Sequence, residues 1–520
     1  MTIHFGTDGW RGVISDTFTF HNLRLVTQAI ADAIASGEWL TGAEESRISH
    51  PEPIEEPAMS VSKGREKPLS SSAALRQAQR GEVDPHRMVV GFDTRFLSDR
   101  YAVEAARVLA ANGFHVDLSM ADLPTPALSH SVLTQHAIAG IMITASHNAP
   151  RYNGVKLKAS YGGSALPEQC RRVELYLNDN EARGRGPNLM DYDQARNSKS
   201  LERFNPTPAY FDHLRELIRF DVIAENPQHV AVDSMYGSGR GQIKGILQGT
   251  GCEVIEVRGE MNPGFGGVHP EPIAANLGPL AGAIAAGHGH LGLATDGDGD
   301  RIGAMDGRGQ FVDPHRILAL SLRYLVEKRG WRGRVVKTVS TTRMINRLCD
   351  RYGLELIETP IGFNHIADVM MQGDFLIGGE ESGGMSFRGH IPEGDGILMG
   401  LLLVEMVAEA GAPLEELVAD LLSLAGPAHY ARLDQRLARP VSKEMMVQRL
   451  AGEAPSHIAG TAVREVQTLD GVKYLLDGDA WLLIRPSGTE PVLRIYAEAG
   501  EPALVSALIE HGRHVADHGA

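Results

Sequence analysis

Ser146 stands at the end of an apolar run, Ile141-Met142-Ile143-Thr144-Ala145-Ser146-His147-Asn148-Ala149-Pro150, and offers a hydroxyl nucleophile at a strand end. It lacks the flanking glycines of a nucleophile elbow, so acyl transfer is a poor reading. A serine that instead holds a phosphoryl group needs a divalent cation and cationic side chains to stabilise the transferring charge. The chain supplies both elsewhere, in Thr295-Asp296-Gly297-Asp298-Gly299-Asp300-Arg301 and in Arg485-Pro486-Ser487-Gly488-Thr489-Glu490-Pro491.

Asp296, Asp298 and Asp300 alternate with glycines, so three carboxylates can turn toward one point while Gly297 and Gly299 permit a tight backbone path. Hard oxygen donors of this kind suit Mg²⁺. An EF-hand would need glycine at the sixth position and glutamate at the twelfth, where this chain has Arg301 and Gly307. An aspartyl-phosphate enzyme would use the first aspartate as nucleophile, which fits poorly with three close ligands and a separate serine. Arg485 to Pro491 combines a cation, hydroxyls and backbone N–H groups suited to a phosphate dianion, although alone it reads equally well as a hairpin turn. Arg494, just beyond, adds a second cation. Gly378-Gly379-Glu380-Glu381-Ser382-Gly383-Gly384 offers carboxylates and a hydroxyl on a flexible backbone, as polyol recognition requires. Gly6 to Gly12 and Gly91 to Arg95 each carry a loop arginine, which a structural ion pair would also explain. His511, His514 and His518 lie at helical spacing and read as a solvated helix face.

These loops need elements to hold them. The 520 residues exceed one hydrophobic core and predict about three to five domains. A net charge of −15 disfavours nucleic acid or an anionic membrane as partner. Three scattered cysteines imply neither a disulfide framework nor a cysteine metal site. No run is apolar enough to span a bilayer and no leader pattern opens the chain, so a cytoplasmic enzyme is expected. A helix is expected around Leu25 to Ile34, a buried strand at Met88 to Phe92, a helix over about Ser98 to Asn112 and a strand at His115 to Leu118. This alternation continues and argues α/β architecture with largely parallel sheets. From about Gly42 to Pro85 the chain is rich in Ser, Glu, Pro and Arg and reads as an inserted mobile loop. Arg183 to Ser200 reads as a linker. Near the C-terminus, Trp481 to Ile484 and Val492 to Tyr496 predict a strand-turn-strand element. Each chemical loop directly follows a short apolar strand, where open α/β sheets bind their ligands.

The loops, in this order, resemble the α-D-phosphohexomutase superfamily, closest in motif to bacterial phosphoglucomutases: Gly6 to Gly12, Thr144 to Lys158 with Asn153-Gly154-Val155-Lys156, Thr295 to Arg301, Gly379 to Gly384, and Arg485 to Pro491. The resemblance implies four domains around a central cleft, three related α/β domains with mixed, mostly parallel sheets and a smaller α+β fourth. Their bounds are expected at 1–200, 201–307, 308–426 and 427–520. It further implies that Ser146 carries the phosphoryl group, and that Asp296, Asp298 and Asp300 hold Mg²⁺, with the phosphoryl oxygen on Ser146 completing the site. Lys156 and Arg301 would transfer protons and stabilise charge, while His147 and Arg11 would contact the transferring group. Glu380 and Ser382 would hold sugar hydroxyls, and Arg485, Ser487, Gly488, Thr489 and Arg494 the other phosphate. Two positions depart from the pattern: Ala149 replaces the usual proline, and Asn364 stands where many relatives carry lysine, with His365 beside it to bind substrate.

The implied reaction interconverts hexose 1- and 6-phosphates through a hexose 1,6-bisphosphate, with glucose 1,6-bisphosphate as activator. Closure of the fourth domain would exclude water. Phosphoglucomutase is the leading expectation, acting as a monomer or homodimer. Phosphomannomutase or a dual-specificity mutase, a non-catalytic sugar-phosphate binder and a phosphatase are the alternatives.

Overall fold

The computed structural model describes residues 3–5, 9–37, 39, 82–437, 442–486 and 492–519. It divides into two compact units, the first holding residues 1–314, 367–377 and 382–414, the second 315–366, 378–381 and 415–520. The expected loop at about Gly42 to Pro85 falls mostly outside the described residues. Its last two positions, Asp84 and Pro85, already belong to a strand.

The first unit opens with a six-stranded sheet: β1 (Trp10–Val13), β2 (Asp84–Phe92), β3 (His115–Ser119), β4 (Ala137–Ile143), β5 (Tyr152–Ala159) and β6 (Leu201–Phe204), in the order β1-β5-β4-β2-β3-β6. β4, β2, β3 and β6 run parallel. β5 returns antiparallel to β4, and β1 pairs antiparallel with β5. The flanking helix Phe20–Ala35 starts where the Thr19 side chain accepts the Asn22 amide, and it buries Leu23, Val26, Ile30 and Ile34. Each such side chain contributes about 1.5–3 kcal/mol on burial.

A five-stranded sheet follows, with β7 (His229–Asp233), β8 (Glu253–Val257), β9 (Leu291–Thr295), β10 (Ile302–Met305) and β11 (Phe311–Val312) in the order β11-β10-β9-β7-β8. β7, β8 and β9 are parallel, and β10 returns antiparallel to β9. The sheets are therefore mixed, parallel in one half and antiparallel in the other. The reason lies in the chemical loops, because residues 144–151 and 296–301 are hairpin connections between a parallel strand and its antiparallel return.

The expected linker at Arg183 to Ser200 is corrected. It contains a helix, Tyr192–Asn197, whose Ala195 is buried, and the first sheet continues beyond it into β6.

In the second unit, β12 (Arg334–Thr338) and β13 (Leu356–Thr359) pair in parallel. β14 (Phe375–Gly379) lies across the division, and β15 (Met385–Phe387) belongs to the first unit. The C-terminal part of the second unit is an antiparallel sheet of β16 (His429–Arg436), β17 (His457–Ile458), β18 (Thr461–Gln467), β19 (Val472–Leu476), β20 (Trp481–Pro486) and β21 (Val492–Ala499). The expected strand-turn-strand element is the β20–β21 pair, in which Trp481 faces Glu498 and Arg485 faces Arg494. The helix Pro502–Gly519 carries His511 and His514, and the His518 side chain lies outside the described residues.

Candidate active site

Strand β4 is buried throughout, and its last residues deliver Thr144, Ala145 and Ser146 into a loop. Ser146 is 1% exposed and has φ 51°, in the left-handed region that costs a non-glycine residue about 1 kcal/mol or more. Its hydroxyl donates to Asp296 Oδ2 at 3.1 Å and lies 3.4 Å from His147 Nδ1. Arg11, on β1 opposite Gly154 of β5, donates from Nη1 to Asn148 Oδ1 at 2.6 Å. Arg11, Ser146, His147 and Asp296 are thus brought together by three strands of two sheets within one unit.

The aspartate loop closes on the same point. Lys156 Nζ, buried on β5, lies 3.0 Å from Asp298 Oδ2 and 2.8 Å from Asp300 Oδ2. Asp296, Asp298 and Asp300 each place a carboxylate oxygen within 4.8 Å of the others. Burial first, then repulsion from Asp300 and Asp298, pushes the Asp296 pKa well above the ordinary carboxylate value. Burial also opposes charge on Asp298, but Lys156 and a hydrogen bond from Thr125 outweigh it and hold that carboxyl below its usual range. Asp298 Oδ1 and Asp300 Oδ1 are buried with no hydrogen-bond partner among the described residues. Three hard donors, two with orphaned oxygens, fit a small divalent cation. The second group of similar ligand spacing, His115, Asp117 and Glu202, has Asp117 paired with Arg87 at 2.7 Å.

Arg301 follows the triad: its amide donates to Asp296 Oδ1 at 3.2 Å, and its guanidinium lies 3.5 Å from Glu271 and 3.9 Å from Asp300. Glycines hold this loop from two sides. The Ile302 amide donates to Gly383 O at 3.1 Å and the Gly396 amide to Gly299 O at 3.0 Å, so the glycine-rich segment bearing Ser382 is bonded to the aspartate loop. A side chain at Gly396 would start 2.1 Å from Arg301 O.

Glu380 and His365 belong to the second unit. Glu380 Oε1 accepts the Gly362 amide at 2.9 Å, which fixes the corner where the helix carrying His365 begins. Arg485 is held by Asp470 at 2.7 Å, and the same carboxylate takes Lys443 at 2.7 Å and the Ile361 amide at 3.1 Å. Arg494 stands opposite Arg485 in the sheet, 3.9 Å from Asp434. Ser487, Gly488 and Thr489, expected in the phosphate loop, lie outside the described residues.

Thr125 was not singled out in the sequence, yet its hydroxyl donates to Asp298 Oδ2 at 2.6 Å and its amide to Asp298 O at 2.8 Å. Lys443 likewise carried no signal. Both lie far along the chain from the loops they serve, so no local pattern marks them.

Comparison with known proteins gives the family. Four family models match: phosphoglucomutase/phosphomannomutase alpha/beta/alpha domain I over residues 70–184, domain II over 208–309, domain III over 313–424 and the C-terminal domain over 441–511. A phosphoglucomutase of Komagataeibacter xylinus is 30% identical over 467 residues, covering 84% of each chain. A phosphoglucosamine mutase of Methanococcus aeolicus is 31% identical over 434 residues, covering 82% of this chain and 90% of its own. The crystal structure of a Thermus thermophilus protein provisionally named phosphomannomutase matches with a TM-score of 0.78 and 33% identity over 99% of both chains. The chain therefore belongs to the phosphoglucomutase/phosphomannomutase family and is an enzyme of its phosphohexomutase class, an intramolecular phosphotransferase.

Proposed function

We propose that the chain is a phosphoglucomutase, with Ser146 as phosphoryl carrier and Mg²⁺ held by Asp296, Asp298 and Asp300. The observation that carries this is the Ser146 hydroxyl 3.1 Å from Asp296, beside a triad in which Asp298 Oδ1 and Asp300 Oδ1 have no hydrogen-bond partner among the described residues. The cation, bound with an oxygen of the phosphoryl group on Ser146, would draw charge from that group. In the first half-reaction the bond from phosphorus to Ser146 Oγ breaks and one to the sugar hydroxyl oxygen forms, and the hydroxyl proton ends on Ser146; in the second the Ser146 hydroxyl takes the other phosphoryl group and its proton returns to the sugar oxygen. Lys156 and Arg301 stabilise the developing charge and assist that proton. Arg11 and His147 orient the transferring group. Reversing the step on the bisphosphate's other phosphate completes the isomerisation, and water has no part.

Glu380, Ser382 and His365 are proposed to hold the sugar, and Arg485, Ser487, Gly488, Thr489 and Arg494 the phosphate that is not being transferred. Four domains bounded at 1–200, 201–307, 308–426 and 427–520, a cytoplasmic location, a monomer or homodimer, and glucose 1,6-bisphosphate as activator complete the proposal. Glucose 1-phosphate is the preferred substrate, since Gly-Glu-Glu-Ser resembles the phosphoglucomutase form of the loop. Mannose 1-phosphate should follow on the order of tenfold lower, because one solvated hydrogen bond separates the two epimers. A second reading, an amino-sugar mutase, is favoured by the relatives of that name at about 30% identity.

Two measurements test the proposal. Ser146→Ala should abolish turnover while keeping the fold, and intact-mass analysis should find phosphate on part of the native protein and none on the variant. Full activity in the variant sinks the carrier assignment. A coupled assay across glucose, mannose, glucosamine and N-acetylglucosamine 1-phosphates then ranks substrates, and any of the last three exceeding glucose overturns the substrate reading alone.

A further inference from the structure

The backbone of the Ser146 loop is turned around a single buried cation. The Arg95 side chain is fully buried, and its two terminal nitrogens donate to four carbonyl oxygens of one turn. Nη2 reaches Ser146 O at 2.5 Å and Asn148 O at 2.7 Å, and Nη1 reaches Ala149 O and Tyr152 O, each at 3.0 Å. Four carbonyls directed at one point repel one another unless a multidentate cation sits there. A guanidinium, with its planar fork of donors, meets that geometry, and the single ammonium of lysine does not.

The arginine is itself held. Its Nε lies 3.1 Å from Asp93 Oδ2 and its amide donates to Asp93 Oδ1 at 2.9 Å, while the Phe265 ring lies 4.9 Å from the guanidinium carbon. Asp93 Oδ2 also accepts the Thr144 hydroxyl at 2.7 Å, and Thr144 Oγ1 in turn accepts the Ser146 amide at 2.8 Å. Both ends of the Ser146 peptide are thereby tied to the same ion pair, the carbonyl through Arg95 and the amide through Thr144 and Asp93. This circuit surrounds a residue in the left-handed region, which persists only where its surroundings over-determine it.

We infer that Arg95, paired with Asp93, is a positioning residue for phosphoryl transfer: it keeps Ser146 in its strained conformation and so keeps the hydroxyl beside the carboxylate triad. The inference rests on the proposed carrier role of Ser146. Arg95 touches no reacting atom, so its removal should slow the chemistry and leave sugar-phosphate binding, assigned to other loops, nearly as it was. A displacement of about 1 Å at a reacting group costs on the order of 100-fold in rate.

The experiment compares Arg95→Ala, Arg95→Lys and Ser146→Ala with the native enzyme. For both arginine variants, kcat for glucose 1-phosphate should fall about 100-fold with KM within about threefold, and amide hydrogen exchange should accelerate in residues 144–152. Added guanidinium chloride, well below denaturing concentrations, should restore part of kcat to Arg95→Ala and none to Ser146→Ala. Native kcat in Arg95→Ala, a loss carried by KM alone, or unchanged exchange at 144–152 would each overturn the inference. If Arg95→Ala does not fold, Thr144→Val, which cuts the circuit at the Ser146 amide, should show the same kcat loss and exchange pattern, and native behaviour there overturns it equally. Turnover surviving in Ser146→Ala would refute the carrier reading instead, and the exchange data would still decide whether Arg95 holds the loop.

Discussion

Gly297 is where the aspartate loop lies against the serine loop, and Gly297→Ala should damage catalysis far more than folding. A Cβ there would start 2.5 Å from Ser146 O and 3.0 Å from Pro270 Cγ, so one wall must retreat by roughly 0.5–1 Å to reach van der Waals contact. Neither wall yields easily. The Gly297 amide donates to Pro270 O at 3.1 Å and its carbonyl accepts the Ser238 amide at 3.0 Å, while Ser146 O is held by Arg95. The strain therefore falls on the one contact between the loops that chemistry needs, Ser146 Oγ to Asp296 Oδ2 at 3.1 Å. A misplacement of this size lowers kcat on the order of 100-fold, about 2.7 kcal/mol of transition-state stabilisation. Overpacking costs stability about 1–3 kcal/mol, too little to unfold the enzyme. The assay is steady-state turnover of glucose 1-phosphate beside urea denaturation, with Gly282→Ala as control. Gly282 is exposed in the helix Gly278–Ala285 with nothing within 4 Å, so that change should leave kcat alone and stabilise by up to about 1 kcal/mol. A kcat for Gly297→Ala within threefold of native would refute the claim that the two loops are in register through this contact.

Asp298→Asn should lower kcat on the order of 100-fold and raise the Mg²⁺ concentration for half-maximal activity, and unchanged turnover across a Mg²⁺ titration would count against the ligand assignment. Thr125→Val removes the hydroxyl at 2.6 Å from Asp298 and should raise the Mg²⁺ concentration for half-maximal activity about tenfold, as loss of an outer support does; a native titration curve argues against that support. His130 is 4% exposed, and burial, then the neighbouring His390, lowers its pKa to about 4. The unfolded chain binds the proton first, so stability is intact above pH 6.5 and falls by about 1 kcal/mol per pH unit on acidification toward pH 4; His130→Gln should flatten that slope, and parallel slopes would show that His130 does not titrate this way.

What the sequence revealed and what it hid follow from the range of the forces involved. The loops bearing Ser146 and the aspartates were legible because β4 and β9 are buried on both faces and so read as unbroken apolar runs ending in hydroxyl, acid and glycine residues. β6 was not legible: Leu-Glu-Arg-Phe holds two apolar residues, and it is a strand because β3 offers an open edge, which is a tertiary effect. The resemblance implied mixed sheets, but the residues alone did not reveal which strands, β5 and β10, return antiparallel, because a buried strand's composition does not encode its direction. Arg95 was visible as a loop arginine with an ion pair, and the pair with Asp93 is there. Its four carbonyl partners carry no side-chain signature at all.

The place of β1 at the rim of the first sheet bears on how the chain is made. Trp10–Val13 leave the ribosome well before their ladder partner, Tyr152–Val155, and the bond from Arg11 to Asn148 spans 137 positions. At ordinary elongation rates that wait is on the order of ten seconds, during which a strand with unpaired amides and an apolar face has nothing to pair with. Until it docks, β5 is itself the rim, and its own backbone groups are open to any passing strand. The segment that brings Arg11 to the serine loop is thus also the cover of the β5 edge, so deleting Trp10–Val13 would lay that edge open to aggregation.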